Sequence, residues 1–373
     1  MNYDKNDPMI AQAMGLCDYV ASVSEEIWQS CLATITKEMP GVNAKNIYIT
    51  GCGDSYCAGI AMKPAFDALV KGAHVVPARA MDVSRRLADF RYEDALVISI
   101  SASGKAARVV EAAMESNRQG AATLAITSGK ETPLGKVSQT CLVVPRPNVP
   151  PSPGVLSYVC SCLALSYAAV VMGAVRGNYS MDEAVGYKRK IEEYCASYGA
   201  VIPKVAVEME QVASQAEPAE GYDFIADGGD FATAYFGSCK YVEAFGAFCT
   251  FDDSENWEHV NNFIVDTENM ATAAVITEES PSYSRLMEAI PVCIRIHRKL
   301  FVVTDLPQDH FPEEVTVCSL PKAPHHWMSP LMMHLPFNFI AAYVAQLKQE
   351  PYFRAFAGEW SVPNKLADSA IKF

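Results

Sequence analysis

Two short segments of the chain combine glycine and hydroxyl residues at the start of an expected helix. The first, Gly51-Cys52-Gly53-Asp54-Ser55, follows an alternating apolar stretch at 47–50 that predicts a buried strand. Glycine permits the positive φ of a sharp turn, and the first turn of a helix offers free N–H groups to an anion. The segment therefore indicates an anion site, most often one for phosphate. The simpler interpretation is a tight turn whose serine caps the helix.

The second segment, Ser101-Ala102-Ser103-Gly104-Lys105, repeats this pattern after the predicted strand at 95–99. Here too the alternative is a serine cap at the helix start. Because the carboxyl ends of neighbouring parallel strands meet at one edge of a sheet, two such turns together favour a shared phosphate site.

The first glycine turn lacks the features of two common nucleotide-binding loops. The dinucleotide fingerprint has a third glycine three residues after Gly53, where this chain has Tyr56. The turn also lacks the closing Gly-Lys-Ser/Thr of loops that bind nucleoside triphosphates. We therefore expect neither a nicotinamide cofactor nor a nucleoside triphosphate here.

A histidine surrounded by carboxylates lies in the segment FDDSENWEHVNNF, residues 251–263. General acid–base chemistry needs a group that titrates near neutrality, and His259 among these acidic residues has that property. The alternative is an acidic surface loop anchored by Trp257, which composition alone favours. The other histidines are weaker candidates. His334 is expected in the core, His297 at the surface or in packing, and His325 and His326 as minor contributors before the closing helix.

These segments belong to two stretches of alternating strand and helix signals. In the first we expect strands at 47–50, 74–77, 95–99, 122–127 and 140–144, and helices at 55–70 and 105–118. In the second we expect strands at 222–226, 271–276 and 300–304, helices at 231–245 and 284–290, and a closing helix at 331–347. Pro336 should lie near the first turns of that closing helix or kink it. Such alternation predicts an α/β fold with parallel sheets covered on both faces, present in two copies.

The expected organisation has five parts. They are a helical N-terminal segment at 1–40, a first α/β domain at 41–175, a helical linker at 176–220, a second α/β domain at 221–345 and a C-terminal tail at 346–373. A glycine turn follows the first strand of each domain, at 51–53 and at 228–229. This repetition is the main reason to read the two halves as copies of one unit.

The bulk composition excludes several classes of protein. A net charge of −13 argues against a nucleic-acid binder, because phosphate backbones are held by clustered Lys and Arg. The 12 cysteines show no spacing of a disulfide framework or a metal site, so we expect buried, reduced thiols in a cytoplasmic protein. No signal-peptide pattern is present at the start. The apolar stretch at 156–175 is expected to be a core helix rather than a membrane span.

The order of these motifs resembles the sugar isomerase (SIS) domain family, in particular the isomerase half of glucosamine-6-phosphate synthase and the fructosamine-6-phosphate deglycases. GCGDSYCAG is followed by ISISASG and then by TLAITSGKETPLGKVSQTCLVVP. Later in the chain, GSCKYVEAFG is similar to a family helix at Gly237, Lys240 and Glu243. The segments SPLMMHLPFNFIAAYVA and PNKLADSAIKF are similar to the closing helix and tail of the same family.

The resemblance implies two SIS-type, three-layer α/β/α domains and a sugar 6-phosphate bound to the first. It assigns phosphate binding to residues of the two glycine turns, namely Gly53, Ser55, Ser101, Ser103, Gly104 and Lys105. One family hydroxyl is missing, because Ala106 stands where the family has Thr. Lys105 replaces a family Glu, and either compensates the phosphate charge or faces solvent.

The resemblance also implies acid–base catalysis near His259, which matches a family histidine. The family's catalytic Glu and its ring-opening Lys correspond to Asn256 and Asp368, and a neutral amide cannot remove a proton from a sugar carbon. Glu255 or Glu258 is therefore the expected base. His259 would move protons or polarise a sugar oxygen, and the C-terminal tail is expected to return to the active site.

The expected function is a deglycase, deaminase or aldose–ketose isomerase for a 6-phosphorylated amino sugar or sugar–amine adduct. The glutamine-dependent synthase reaction is not expected, because the sequence offers no amidotransferase domain. The alternative is a catalytically inactive phosphosugar sensor, which the missing Glu and Lys favour. Neither function needs a metal or another cofactor. The resemblance implies a homodimer with shared active sites, without nucleic-acid or membrane partners.

Overall fold

The computed structural model describes residues 3–265 and 267–361. These residues form two compact units with one β-sheet each. The first-sheet unit comprises residues 18–148 and 156–193, and the second-sheet unit comprises residues 3–17, 149–155 and 194–360. Asp368 and the last part of the expected tail lie outside the described residues.

Two helices open the chain. In α1 (Pro8–Met14), the carboxylate of Asp7 accepts hydrogen bonds from the backbone N–H groups of Met9 and Ile10. Proline is tolerated in this first turn because its missing N–H would have no partner within the helix. The second helix, α2 (Leu16–Thr34), follows directly after Gly15.

The first sheet has five parallel strands in the order β2-β1-β3-β4-β5. They are β1 (Asn46–Gly51), β2 (His74–Arg79), β3 (Ala95–Ile100), β4 (Ala122–Thr127) and β5 (Thr140–Val143). The next helices are α3 (Asp54–Leu69), α4 (Ala80–Arg85), α5 (Ala107–Arg118), α6 (Pro133–Val137), α7 (Leu156–Val175) and α8 (Met181–Ser197). All five expected strands are confirmed, whereas the helix expected from Lys105 begins at Ala107. Lys105 therefore belongs to the turn before the helix.

Helices pack on both faces of the first sheet. On one face α3 approaches closely, and a Cβ on its Gly59 would lie 3.1 Å from Ile49 of β1. On the other, Val109 and Val110 of α5 pack with Ala125 of β4. By length and composition α7 could cross a membrane, but 89% of its most apolar window is buried in the protein. The expectation of a core helix is confirmed.

The second sheet also has five parallel strands, in the order β7-β6-β8-β9-β10. They are β6 (Gly221–Ile225), β7 (Cys249–Asp252), β8 (Met270–Ile276), β9 (Lys299–Thr304) and β10 (Thr316–Ser319). The helices of this half are α9 (Ile202–Ala216), α10 (Gly228–Phe245), α11 (Ser254–His259), α12 (Tyr283–Arg295) and α13 (Leu335–Lys348). Trp257 of α11 and Leu286 of α12 cover one face, and Tyr241 of α10 and Phe337 of α13 pack edge-on against Phe224 on the other.

The two sheets share one topology. When β6 to β10 are matched in chain order to β1 to β5, the strand orders are identical. The expectation of two copies of one three-layer α/β/α unit is therefore confirmed. The carboxyl ends of β6, β8 and β9 correspond to those of β1, β3 and β4.

The second half differs from the expectation in two respects. The strands β7 and β10 were missed, because each has only four residues and lies at a sheet edge, where burial imposes little apolar pattern. The closing helix begins at Leu335 rather than at 331, after a 3-10 segment at His326–Leu331. Pro336 lies in its first turn, as expected.

Candidate functional site

The turn after β1 depends on its two glycines. Gly53 has φ +53° and ψ −128°, a conformation that side chains disfavour, and it directly precedes α3. A Cβ on Gly51 would lie 2.7 Å from the Cβ of Ser55, so only glycine lets the strand end and the helix start approach this closely. A Cβ on Gly53 would meet nothing within 4 Å, so the space in front of the turn is open.

The turn after β3 is equally constrained. Gly104 has φ +66°, and a Cβ there would lie 2.4 Å from Thr132 Oγ1 and 2.6 Å from Thr127 Oγ1. Its carbonyl accepts a hydrogen bond from the backbone N–H of Leu134 at 3.0 Å. The turn at residues 101–105 therefore packs tightly against the loop that follows β4.

The serines of these two turns do not cap the helices that follow them. The N-cap residues of α3 and α5 are Gly53 and Ala106, and neither provides a side-chain hydrogen bond. Among the described residues, the hydroxyls of Ser55 and Ser101 have no hydrogen-bond partner. The Ser103 hydroxyl accepts one bond, at 3.3 Å, from the N–H two residues further on. The serine-cap interpretation is therefore wrong for both motifs.

The register of the sheet brings the two turns side by side. Thr50 of β1 pairs with Ser99 of β3, and Gly51 pairs with Arg79 at the end of β2. Neighbouring strands lie about 4.8 Å apart, so the chain enters both turns at one sheet edge. The strand order reverses between β1 and β3, and α/β folds bind ligands at such a switch point. All six expected phosphate-binding residues therefore lie at the carboxyl ends of the strands of the first sheet. This end of the sheet is called the first edge below.

Three arginines that were not expected from the sequence lie around the first edge. The Arg79 guanidinium is 5.6 Å from the ring centroid of Tyr56, in the first turn of α3. Arg85 and Arg108 both bind the fully buried carboxylate of Glu111, at 2.8 and 2.9 Å. With the exposed Lys105, these cations give the first edge a basic character within an acidic chain. Such a local field favours an anion.

The corresponding edge of the second sheet has the opposite charge. Its strand ends carry five acidic residues, Asp227, Asp230, Glu278, Glu279 and Asp305. Only Lys322 and His326 supply ion-pair contacts to this group among the described residues. Phosphate is disfavoured there, so the two edges have different chemistry on the same topology.

The expected acid–base residues lie together on α11, in the second-sheet unit. His259 Nε2 is 3.0 Å from Glu255 Oε1, and both side chains are largely exposed. The Arg285 guanidinium contacts Glu255 Oε2 at 2.7 Å and Glu258 Oε2 at 2.8 Å. Both candidate bases are thus held in ion pairs by one arginine of α12. Asn256 donates from its amide to Asp252 and Asp253 within the same segment.

Trp257 anchors this segment. It is fully buried, and its indole nitrogen donates a hydrogen bond to Asp223 of β6. Asp223 also accepts bonds from Thr250 Oγ1 at 2.7 Å and Asn261 Nδ2 at 3.3 Å, and burial raises its pKa. The segment has the form of the alternative interpretation, an exposed acidic stretch with a tryptophan anchor, and it also brings a carboxylate next to a histidine.

A further carboxylate stands out on α10. Lys240 is fully buried, and its Nζ lies 2.5 Å from Glu243 Oε2 and 4.7 Å from the ring centroid of Phe236. The Glu243 side chain is 31% exposed and reaches the surface, whereas Lys240 remains buried beside it. Both residues match the family helix in sequence, and that resemblance assigned them no chemistry. Glu243 is a third candidate base.

The remaining titratable groups follow the sequence expectations in most cases. His334 is fully buried between Leu331 and Asn338, and burial lowers its pKa to about 3, which confirms the core assignment. No cysteine forms a disulfide, and seven of the 12 are buried. Cys52, expected to be buried, is exposed at the tip of its turn. The cause is the positive-φ turn at Gly53, which carries this position out of the sheet.

These observations define a class of protein: an α/β protein whose first sheet presents hydroxyl groups and basic side chains suited to an anion at its switch point. Residues 42–172, which include that whole sheet, match the family model described as the SIS domain. This part of the chain is therefore similar to the SIS domain.

The curated relatives that match are longer than this chain. The glutamine–fructose-6-phosphate aminotransferase (isomerizing) of Clostridium perfringens is 25% identical over 217 residues, which are 56% of this chain and 34% of the relative. That of Thermus thermophilus is 22% identical over 311 residues, 81% of this chain and 49% of the relative. The chain thus spans half or less of the length of these relatives.

Solved structures share the fold over nearly the whole chain. The C-terminal domain of glucosamine-fructose-6-phosphate aminotransferase from Francisella tularensis superposes with a TM-score of 0.80 at 18% identity, covering 94% of this chain and 98% of that one. A proposed phosphosugar isomerase from Clostridium difficile 630 gives 0.81 at 16% identity, covering 98% and 99%. Tagatose-6-phosphate ketose/aldose isomerase from Escherichia coli gives 0.62 at 14% identity, covering 91% and 90%. The fold is that of two SIS-type domains.

Proposed function

We propose that the first edge binds a sugar 6-phosphate and that the protein rearranges the open-chain sugar, as a deglycase, deaminase or aldose–ketose isomerase. The observation that carries this proposal is that Ser55 and Ser101 cap no helix yet lie at the basic switch point of the sheet. Phosphate oxygens are the acceptors that such hydroxyls and helix N–H groups bind. Relatives named for fructose 6-phosphate and tagatose 6-phosphate support a phosphosugar ligand.

The proposed chemistry is proton transfer between carbons 1 and 2 of the open-chain sugar. A carboxylate removes the proton from one carbon, which leaves an enediol or, in an amine adduct, an enaminol. The proton then returns to the neighbouring carbon. In the adduct this step gives an imine, to which water adds, and the amine and the sugar phosphate separate. The carbonyl group itself acidifies the proton, so the proposal includes no metal or redox cofactor.

Glu255 and Glu258 are the proposed bases, with His259 as the proton carrier. The 3.0 Å contact between Glu255 and His259 supports the first assignment. The lower exposure of the Glu258 side chain, 19%, supports the second, because a catalytic carboxylate must be shielded from bulk water while it contacts the sugar. Glu288 provides a matched control, since it contacts the same Arg285 at 2.7 Å from the exposed side of α12.

The test is proton exchange in heavy water, followed by NMR. The protein is incubated with fructose 6-phosphate, glucosamine 6-phosphate and a fructosamine 6-phosphate adduct, and deuterium at carbon 1 or 2 is measured. Replacing the base by glutamine should slow exchange by roughly 100-fold or more, the usual contribution of a general base. Glu255→Gln and Glu258→Gln separate the two candidates, and Glu288→Gln should retain exchange. No deuterium and no product with any compound would exclude the enzyme.

The second candidate is a phosphosugar sensor without catalysis. Its support is that Arg285 binds both candidate bases and that Asn256 and Asp368 stand where the family has a Glu and a Lys. A sensor would bind the same sugar phosphates by calorimetry but would incorporate no deuterium. The exchange experiment therefore also decides between the two functions.

We also propose a homodimer with shared active sites. Four apolar side chains within 248–265 are 60% exposed or more, Phe248, Val260, Phe263 and Val265. Such concentration of exposed large apolar residues is typical of an interaction surface. Sedimentation equilibrium should give twice the mass of 40.6 kDa, and Phe263→Asp with Val265→Asp should shift the protein to the monomer.

The cytoplasm is the proposed location. Its support is the set of 12 free thiols, since an oxidising compartment would favour pairing of the accessible ones. Fractionation of cells that express the tagged protein checks this. Recovery from the periplasmic or secreted fraction would contradict it.

A further inference from the structure

We propose that the corresponding edge of the second sheet, called the acidic edge below, is a second small-molecule site, and that it takes a primary ammonium or guanidinium group. Its central residues are Asp227, Asp230, Thr277, Asp305 and His326. The proposal is independent of the function proposed for the first edge, because it concerns a different sheet and the opposite charge.

The strand order places a topological switch point at the acidic edge. Ile225 ends β6 beside Ala274 of β8, and Ile276 ends β8 beside Thr304 of β9. The strand order reverses between β6 and β8, as it does between β1 and β3. A switch point with loops diverging on either side leaves an opening at the carboxyl ends of the strands.

Two carboxylate oxygens at this edge are buried without a hydrogen-bond donor among the described residues, Asp227 Oδ2 and Asp230 Oδ1. The two residues are only 8% and 1% exposed. Their other oxygens are bound. Asp227 Oδ1 accepts from the N–H of Ser254 at 3.1 Å, and Asp230 Oδ2 accepts from the N–H and hydroxyl of Thr277 at 3.2 and 2.6 Å. His326 Nε2 lies 3.5 Å from Asp230 Oδ1, whereas Asp227 Oδ2 has no such neighbour among the described residues. A buried acceptor without a donor is costly, so Asp227 Oδ2 in particular favours a donor from another molecule.

The two carboxylates are not explained as caps of α10. Asp227 is the N-cap residue, but its side chain makes no hydrogen bond to the helix, and its bond runs sideways to the start of α11. Asp230, in the first turn, bonds to the end of β8 instead. Thr233 and Ser280 add two further buried hydroxyl oxygens without a partner among the described residues. Buried polar atoms without a hydrogen bond to the described residues therefore occur both on α10 and on the loop after β8.

A histidine nitrogen is already accommodated here. His326 Nε2 lies 3.5 Å from Asp230 Oδ1 and 2.8 Å from Thr277 Oγ1, and its side chain is 20% exposed. The carboxylate of Asp230 raises the His326 pKa, with further support from Asp305. At the rim, Lys322 neutralises Glu278 and Glu279, with contacts of 2.6 and 3.4 Å. The inner carboxylates keep an excess of negative charge, which selects a cationic ligand group.

The spread of the acceptors selects an organic cation over a metal ion. In the described part of the chain, no three His, Cys, Asp or Glu side chains come close enough to hold a metal. An ammonium group has three N–H donors and a guanidinium has five, so each can satisfy acceptors that are several ångströms apart. Carboxylates around such a group provide charge-assisted hydrogen bonds.

Calorimetry of the full chain with putrescine, magnesium chloride and inorganic phosphate as probes tests the proposal. We expect saturable binding of putrescine at one site and none of magnesium to that site. Asp305→Asn should weaken putrescine binding at least tenfold, and Asp230→Asn should weaken it further. The control Asp309→Asn replaces an exposed carboxylate nearby in sequence and should change affinity less than twofold. Ser55→Ala, at the first edge, should leave putrescine binding unchanged.

Three results would overturn the proposal: no saturable putrescine binding, equal affinity in Asp305→Asn and wild type, or displacement of putrescine by magnesium. Asp230 is buried, so its variant is first checked by circular dichroism and thermal melting. If that variant does not fold, the half-buried Asp305 alone decides, because its substitution leaves the Asp230–Thr277 bonds intact. Phosphate binding at the first edge is read in the same titrations, so failure of either site is seen separately.

Discussion

The indole nitrogen of Trp257 donates a hydrogen bond to the carboxylate of Asp223, and both side chains are fully buried. The same carboxylate receives the hydroxyl of Thr250 and the amide of Asn261. One buried acid in β6 therefore fixes β7, α11 and the turn that follows. The exposed acid–base residues of α11 owe their position to this contact rather than to packing of their own.

Trp257→Phe should therefore destabilise the protein by about 3 kcal/mol. The substitution removes one donor from a buried carboxylate, which costs about 1–3 kcal/mol, and leaves a small cavity in addition. Urea denaturation measures the change. The control is Trp360→Phe, whose ring is 54% exposed and whose loss should cost less than about 0.5 kcal/mol. Equal losses in the two variants would show that the Asp223 contact contributes little.

The first sheet was predictable because its strands are buried on both faces. β3, with the sequence ALVISI, is buried at all six positions, and such runs are read directly from the sequence. By contrast, β7 and β10 have four residues each, with mixed exposure at sheet edges. Their pairing follows from the topology of the sheet and not from their own pattern.

The serines of the first edge were predictable for the same local reason, since each glycine turn follows a clear strand. The arginines were not, because Arg79 reaches Gly51 only through the pairing of β2 with β1. Likewise, nothing near Glu255 or Glu258 in the sequence indicates Arg285, which comes from another helix. Local motifs give the turns, and the charges around them depend on tertiary neighbours.

Ser101→Ala and Ser55→Ala should each weaken fructose 6-phosphate binding by roughly 10- to 100-fold. A hydrogen bond to a charged group contributes about 1.5–3 kcal/mol, and neither hydroxyl has another partner among the described residues. Isothermal titration calorimetry gives the dissociation constants. Ser22→Ala is the control, since that exposed hydroxyl bonds to the Tyr19 carbonyl within α2. Unchanged affinity in both site variants would refute phosphate binding at the first edge.

Gly104→Ala should abolish sugar-phosphate binding and lower stability. The added methyl group would lie 2.4 Å from Thr132 Oγ1, and the residue would have to keep φ +66°. Both effects would displace the turn from the loop that follows β4. We therefore expect the free energy of unfolding, measured by thermal or urea denaturation, to fall by about 2 kcal/mol or more. Gly186→Ala is the matched control, because it has open space and lies within α8, where alanine should be neutral or stabilising. Normal binding in Gly104→Ala would mean that the turn tolerates movement.

Replacing Lys240 and replacing Glu243 on α10 should lower the stability of the protein by different amounts. Glu243→Gln removes the carboxylate from a lysine that is fully buried, which should cost about 3 kcal/mol. Lys240→Met preserves volume and leaves a partly exposed acid that water can solvate, so it should cost less. Urea denaturation compares the two. If Glu243 is also the base, Glu243→Gln alone among the folded variants stops deuterium exchange, whereas a purely structural pair would change only stability.

His334 should make the protein sensitive to acid. Burial lowers its pKa from 6.5 to about 3, and its ring bonds in the neutral form to Leu331 and Asn338. Between these pKa values only the unfolded chain binds the proton. The stabilisation that the neutral, buried His334 ring provides is therefore complete above pH 6.5 and declines as the pH falls. The expected slope is about 1.4 kcal/mol per pH unit, or about 2 kcal/mol at pH 5.

The variant His334→Gln isolates this effect, since glutamine keeps one donor and one acceptor but does not titrate. The difference in unfolding free energy between wild type and variant should grow with pH from 4.5 to 6.5 and be flat above. His326 should affect stability at higher pH. Asp230 raises the pKa of His326, so the stabilisation from the protonated ring is complete below pH 6.5 and is lost as the pH rises further. His310→Gln replaces a half-exposed ring and should leave the acid slope unchanged. A slope that persists in His334→Gln would assign acid sensitivity to other groups.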